Sequence, residues 1–289
     1  MKVRKAVIPA AGLGTRMLPA TKTVPKEMLP MVDKPVLQYI IEEAVAAGIE
    51  DILIITGRNK EILEDHFDRN PELEAHLQRG GKEKMLQNCI DIANLANISY
   101  LRQKETRGLG HAISKARSFT GNEPFVVLYG DDVIMGRDPV AAQLIRAYEA
   151  TGKACVGIKQ VTPEAIAKYS SLKVSPLQEN LYNVTDMIEK PAPGQEFSLF
   201  SILGRCLLTP SIYTILENTV PGAGGEIQLT DAMAVLARTV GMVGVDFTGV
   251  RYDMGSKLGV MQAQVETALR HPEIGDEFKA YLKELLRGL

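Results

Sequence analysis

The chain has no tryptophan, and only three cysteines and four histidines among its 289 residues. Cys89, Cys155 and Cys206 lack CxxC spacing, which argues against a disulfide framework or a cysteine zinc site and fits a reducing cytoplasm. His66, His76, His111 and His271 lack HExxH or other ligand spacing and read as surface or packing residues, and GxSxG is absent too. Nowhere do 18 apolar residues follow one another, so no stretch is long enough to span a bilayer. The basic opening MKVRK meets an apolar run that stops at Pro9, with Arg16 soon after, which argues against a signal peptide. A formal net charge of -2 gives no general attraction to nucleic acid or membrane, so an anionic ligand must be held by local charge.

What is present is an ordinary globular composition, 45% hydrophobic and 24% charged, long enough for one large α/β domain or two modest ones. The chain is organised around Ala10 to Pro30, AAGLGTRMLPATKTVPKEMLP, which follows the apolar run Ala6 to Ile8. Gly12 and Gly14 let backbone N–H groups approach an anion, and Arg16, Lys22 and Lys26 bring positive charge. Pro19, Pro25 and Pro30 prevent a continuous helix, so the stretch reads as a stiff, extended arm. A dinucleotide fingerprint fails because Met17 stands at the third glycine position, and GxxxxGK[ST] is absent. By chemistry alone the stretch also fits a Gly/Pro turn with solvated basic residues.

Apolar patterning predicts strands over Ala6–Pro9, Ile52–Thr56, Ile98–Leu101 and Phe125–Tyr129, with a helix opened by Pro35 and ended by Gly48. A helical stretch over Glu61–Phe67, a polar one over Pro71–Ala96 and a helix over Ala112–Arg117 lie between them. This alternation predicts a parallel sheet with right-handed crossovers. Asp131 and Asp132 follow a strand at its carboxyl end, where ligands gather in such sheets; an Asp-Asp pair is also a common turn cap. After a helix near Pro139–Ala150 and a strand at Ala154–Gln160, the segments Leu172–Val174, Leu181–Ile188 and Leu199–Leu208 read as added antiparallel strands. Helices near Ser211–Asn218 and Leu229–Arg238 precede a strand at Met242–Phe247. In the last helix Phe278, Tyr281, Leu282, Leu285 and Leu286 form an apolar stripe, expected to pack on its own domain, with a subunit interface as the alternative.

AGLGTRMLPATKTVPKEMLP resembles the signature loop of sugar-1-phosphate nucleotidylyltransferases, and PKEMLPMVDKP is similar to the bacterial UTP–glucose-1-phosphate uridylyltransferases in particular. RGLGHAI, GDD, IEKP, LGR, GAGGEIQLTDA and YDMGSKLG follow in that family's order, so the resemblance spans essentially the whole chain. It implies a Rossmann-like nucleotidyltransferase fold with a mixed, mostly parallel sheet and a small antiparallel sugar-binding insertion. One domain would cover 1–289, its nucleotide half about 1–150, its sugar half about 151–260, and C-terminal helices about 257–289.

The implied reaction joins UTP and glucose 1-phosphate into UDP-glucose and pyrophosphate, with Mg2+ as cofactor and a homodimer or homotetramer as the assembly. By the same resemblance Arg16 holds the β and γ phosphates and Lys26 the α-phosphate region, with Ala10, Ala11, Gly12, Gly14 and Thr15 supplying nucleotide contacts. Gln103 and Gly108 correspond to uracil-contacting positions. Ser170, Glu189, Lys190 and Gly204 correspond to the sugar-phosphate side, although relatives carry Tyr-Gly-Val-Val where this chain has Tyr169, Ser170, Ser171 and Leu172. Asp131 and Asp253 match the metal ligands, with Asp132 as the alternative to Asp131. Glucose-1-phosphate thymidylyltransferase activity and a non-catalytic nucleotide-sugar sensor are the rival readings.

Overall fold

A computed structural model describes residues 2–288. The first four strands of the large sheet are the predicted apolar runs, three slightly extended and the fourth one residue shorter. They are β1 (Lys5–Pro9), β4 (Asp51–Thr56), β5 (Asn97–Arg102) and β6 (Phe125–Leu128), while β2 (Pro30–Met31) and β3 (Lys34–Pro35) form a small antiparallel pair of their own. β1 lies between β4 and β6 and is parallel to both, buried on both faces, which explains why its sequence is a continuous apolar run.

The later strands are β7 (Asp132–Met135), β8 (Cys155–Gln160), β9 (Ser170–Gln178), β10 (Leu181–Glu189), β11 (Phe200–Leu208), β12 (Met242–Asp246) and β13 (Val250–Asp253). Nine strands make one sheet in the order β5-β4-β1-β6-β11-β8-β12-β10-β9. Only β11 and β10 run against the rest, giving a mixed, mostly parallel sheet. The β9–β10 hairpin closes the far edge. Sequence patterning groups Leu199–Leu208 with these added strands, yet β11 sits mid-sheet between β6 and β8, and its nine residues are all buried.

Because neighbouring strand residues face opposite ways, Ile8, Ile52 and Val126 pack on one side of the sheet and Val7, Leu53 and Val127 on the other. The first side is covered by the helix Val36–Ala46 through Leu37, Ile40 and Ile41, and the second by the helix Leu229–Thr239 through Ala232, Met233 and Leu236. The polar segment Pro71–Ala96 is two helices, Pro71–Arg79 and Glu83–Ala93, separated where Gly81 takes a φ of 65°.

β7 and β13 lie outside the main sheet and pair antiparallel, with Asp132 opposite Asp253. The final helix, Gly275–Leu285, departs from the packing expected of it. Tyr281 and Leu285 are 57% and 47% exposed, so most of its apolar stripe is open to solvent within one chain. Among the described residues no helix is long and apolar enough to cross a membrane.

Candidate active site

The loop after β1 is neither a helix nor the extended arm its prolines suggest. It folds into three 3-10 turns, Thr15–Met17, Ala20–Lys22 and Lys26–Met28, stepped between proline-restricted residues. Gly14 opens the first turn in the left-handed region, at φ 67°, and its carbonyl accepts a hydrogen bond from Thr21 Oγ1 at 2.7 Å. The third turn brings Lys26 back over the strand ends, where a Cβ on Gly12 would lie 3.7 Å from its Nζ. Arg16 stands further out, exposed, with its guanidinium laid against the bare Cα of Gly255; a Cβ there would collide with it.

Opposite these cations lie carboxylates. Lys26 Nζ is 2.5 Å from Asp131 Oδ2, and Arg16 Nη2 is 3.7 Å from the same oxygen. Burial lowers the Lys26 pKa, but Asp131 and Glu27 outweigh it and the net shift is upward. For Asp131 burial pushes upward, and Lys26, Arg16 and Arg251 bring the net shift below the usual carboxylate value. Asp132 is spent differently: it is buried and ion-paired with Arg251, whose Nε donates to Oδ1 at 2.7 Å. Burial raises it to about 6, Asp131 adding to the rise and Arg251 opposing it. Asp253 accepts from Gly255 N at 2.9 Å and from the Tyr169 hydroxyl at 3.2 Å, and Met254 N donates to the Asp131 carbonyl, so the two aspartate-bearing segments are tied together.

A cavity of about 400 Å³ opens between the loop and β6, with Ala11, Gly12, Gly14, Thr15, Gln103 and Gly108 in its walls. Gln103 is buried, and its amide Nε2 donates to His111 Nδ1 at 2.8 Å. An amide nitrogen only donates, so His111 is neutral with its proton on Nε2. Burial, with Lys115 and Arg107, lowers the pKa of His111 and favours that form. Gly108 has φ 104° and passes so close to the Ile227 carbonyl that a Cβ would come within 2.6 Å of it. This contact docks the GAGGEIQLTDA segment on the RGLGHAI segment, as do the bonds Gly110 N to Ile227 O and Ile227 N to Arg107 O, both 2.8 Å.

A second space of about 930 Å³ continues from the first, shares Lys26 and Asp131 with it, and reaches Ser170, Glu189, Lys190 and Asp253. Thr230 Oγ1 donates to Glu189 Oε2 at 2.7 Å, and burial raises the Glu189 pKa against that bond and Lys190. Lys190 holds φ 46°, a left-handed conformation unusual for a residue with a side chain and one that clusters at ligand sites. The Ser170 hydroxyl is turned inward: it accepts from Ile202 N at 3.1 Å and pairs with Ser201 Oγ at 3.4 Å.

Two expected site residues stand elsewhere. Gly204 does not line the cleft; at φ 77° it lies behind Asp132, close enough that a Cβ would strike that side chain. Ala10 is buried too, its N–H donating to the Ile55 carbonyl and its own carbonyl accepting from Lys60. Sequence reasoning missed His111, Arg251, Tyr169 and Thr230, which orient site residues from distant segments. It also missed Arg205, fully buried, which forks onto Glu43 and donates to the Asp132 carbonyl. The LGR motif carried this signal in its arginine rather than its glycine.

A cleft at the strand ends thus brings the basic loop together with Asp131 and Asp253. The nucleotidyl transferase family model matches residues 5–270 of the chain. UTP–glucose-1-phosphate uridylyltransferase YngB of Bacillus subtilis strain 168 is 50% identical over 286 residues, 99% of this chain and 96% of that protein. A UTP-bound UGPase from Acinetobacter baumannii superposes with a TM-score of 0.91 at 37% identity, covering 98% of this chain and 99% of that one. A UDP-glucose pyrophosphorylase complexed with UDP-glucose gives 0.84 at 40% identity over the same shares. The chain belongs to the UTP–glucose-1-phosphate uridylyltransferase family.

Proposed function

We propose that this enzyme transfers a uridylyl group from UTP to glucose 1-phosphate, giving UDP-glucose and pyrophosphate. The reading is carried by one continuous cleft that holds the Lys26–Asp131 contact, with a nucleotide-sized recess at one end and Glu189 with Lys190 at the other. A phosphate monoester, with a second pKa near ~6, is largely ionised at neutral pH, so the nucleophile needs no general base. A phosphate oxygen of glucose 1-phosphate attacks the α-phosphorus of UTP, the new P–O bond forms, and the bond to the β-phosphate oxygen breaks with its electron pair leaving on pyrophosphate. No proton is transferred.

The barrier lies in bringing two anions together and in charge on the reacting phosphoryl group. Lys26 meets the α-phosphate and Arg16 the β and γ phosphates, while the Ala11–Thr15 backbone lines the nucleotide. Gln103, held by His111, offers the uracil edge an amide. Glu189 accepts sugar hydroxyl bonds and Lys190 meets the sugar phosphate as a point charge.

Nucleotidyltransferases of this family generally use a divalent metal. Among the described residues no group of three or more His, Cys, Asp or Glu forms a ready metal cage. This suits a hard ion taking one or two carboxylates and completing its shell with phosphate and water oxygens, as magnesium does. Asp131 and Asp253 fit that donor set, and the side chain of Asp131 is 22% exposed against 6% for Asp132, which supports Asp131 over its neighbour. Bound magnesium would supply charge neutralisation at the phosphates.

We read the chain as a single domain, with nucleotide and sugar halves meeting at this cleft, working in the cytoplasm as a homodimer or homotetramer. The exposed stripe on the helix Gly275–Leu285 is the face available for assembly. Steady-state assays with UTP and dTTP test the nucleotide: a kcat/KM several-fold higher for UTP is expected, and equal or reversed values overturn the uridylyl assignment.

A further inference from the structure

Behind Lys26 and Asp131 a second ion pair is sealed from solvent. Lys60 Nζ donates to Glu27 Oε2 at 2.8 Å, with side chains 8% and 0% exposed, and Lys60 also donates to the Ala10 carbonyl. The other carboxylate oxygen, Glu27 Oε1, is buried without a partner. Desolvating such a pair costs several kcal/mol per ion, and an apolar pair of similar volume is often as stable. Its geometry therefore calls for a reason other than stability.

Three segments of the cleft meet at this pair. Glu27 follows Lys26 in the same 3-10 turn, so its carboxylate anchors the turn that carries the ammonium. Ala10 leads straight into the Ala11–Gly12 backbone of the nucleotide cavity. Glu27 Cγ packs under Gly130, where a Cβ would stand 3.3 Å away, and Gly130 leads into Asp131. Lys60 comes from the segment after β4, whose Gly57 backs so closely on Ala11 that a Cβ would lie 3.0 Å from the Ala11 carbonyl oxygen.

We propose that Lys60 and Glu27 are positioning residues for catalysis: their buried pair clamps the Lys26 turn, the Ala10–Gly12 backbone and the Gly130–Asp131 strand end into one body, fixing Lys26 against Asp131 without touching substrate. This inference rests on the nucleotidyl-transfer reading. Burial raises the Glu27 pKa against Lys60 and lowers the Lys60 pKa against Glu27. Both shifts favour the neutral forms, which eases the cost of leaving either partner alone in a single substitution.

The test compares the full-length enzyme with Lys60→Met, Glu27→Gln and the double variant, by pyrophosphate release under saturating substrates and by thermal melting. A misplacement of about 1 Å costs roughly 100-fold in rate. The expected result is a fall in kcat of that order, with KM for glucose 1-phosphate unchanged and the same fall in the single and double variants. Folded variants with wild-type kcat below their melting midpoints overturn the positioning role, and the double variant, which leaves no buried charge, keeps this answerable if a single one is poorly folded. A wild-type enzyme that releases no pyrophosphate overturns the functional reading itself, and the positioning role with it.

Discussion

Lys26 Nζ lies 2.5 Å from Asp131 Oδ2, so the cation of the opening loop and the carboxylate just after β6 are in direct contact where the two parts of the cleft meet. In the proposed reaction one meets the substrate phosphates and the other the metal. Lys26→Met should therefore cost transition-state stabilisation rather than folding. If the ammonium acts like an oxyanion-hole donor, kcat falls about 10²–10³-fold, or ~2.7–4 kcal/mol, with a near-wild-type melting curve. A near-normal kcat would remove Lys26 from the mechanism.

Asp131 and Asp132 are neighbours with different ion-pair partners, and their amides should separate their roles. Asp131→Asn is expected to abolish turnover and weaken binding of a manganese probe, read by electron paramagnetic resonance, with little loss of stability. Asp132→Asn leaves the Arg251 fork without its carboxylate and should lower stability by about 1.5–3 kcal/mol in denaturant titrations. The reverse pattern would exchange the two assignments.

His111 should give the site an acid limb. Its pKa in the fold lies below the ordinary 6.5 because of burial, Lys115 and Arg107, Glu105 opposing. The neutral ring that accepts from Gln103 therefore contributes fully above 6.5, and the contribution is lost as pH falls through the depressed folded value. KM for UTP should rise over that acid range in the wild type and rise less steeply in His111→Gln, which does not titrate. Identical profiles would detach His111 from nucleotide binding.

Much of the fold was legible because the strands of a parallel sheet are short apolar runs that local patterning finds, as with Ile8, Ile54 and Val127. β11 was misplaced in the architecture because strand order is set by packing that no local pattern records. β7 was missed because four residues carry too little periodicity, and its partner β13 comes more than a hundred residues later. In the site, Lys26, Asp131 and Asp253 stand in recognisable motifs, whereas Arg251, Tyr169 and Thr230 act by orienting others. Such residues look like any exposed polar side chain until the fold brings Arg251 to Asp132 or Thr230 to Glu189.

Glu189 is anchored by Thr230 at the end of the cleft remote from the nucleotide recess. Glu189→Gln should raise KM for glucose 1-phosphate at least about tenfold, from the ~1.5–3 kcal/mol of a hydrogen bond to a charged group, while KM for UTP changes little. Equal effects on the two constants would count against placing the sugar there.

The most direct test of the central claim is a phosphorus magnetic resonance time course of the enzyme with UTP, glucose 1-phosphate and magnesium. UDP-glucose and pyrophosphate should appear in equal amounts, and neither should form when glucose 1-phosphate is left out. Pyrophosphate released without the sugar phosphate, or no conversion of UTP at all, would contradict it.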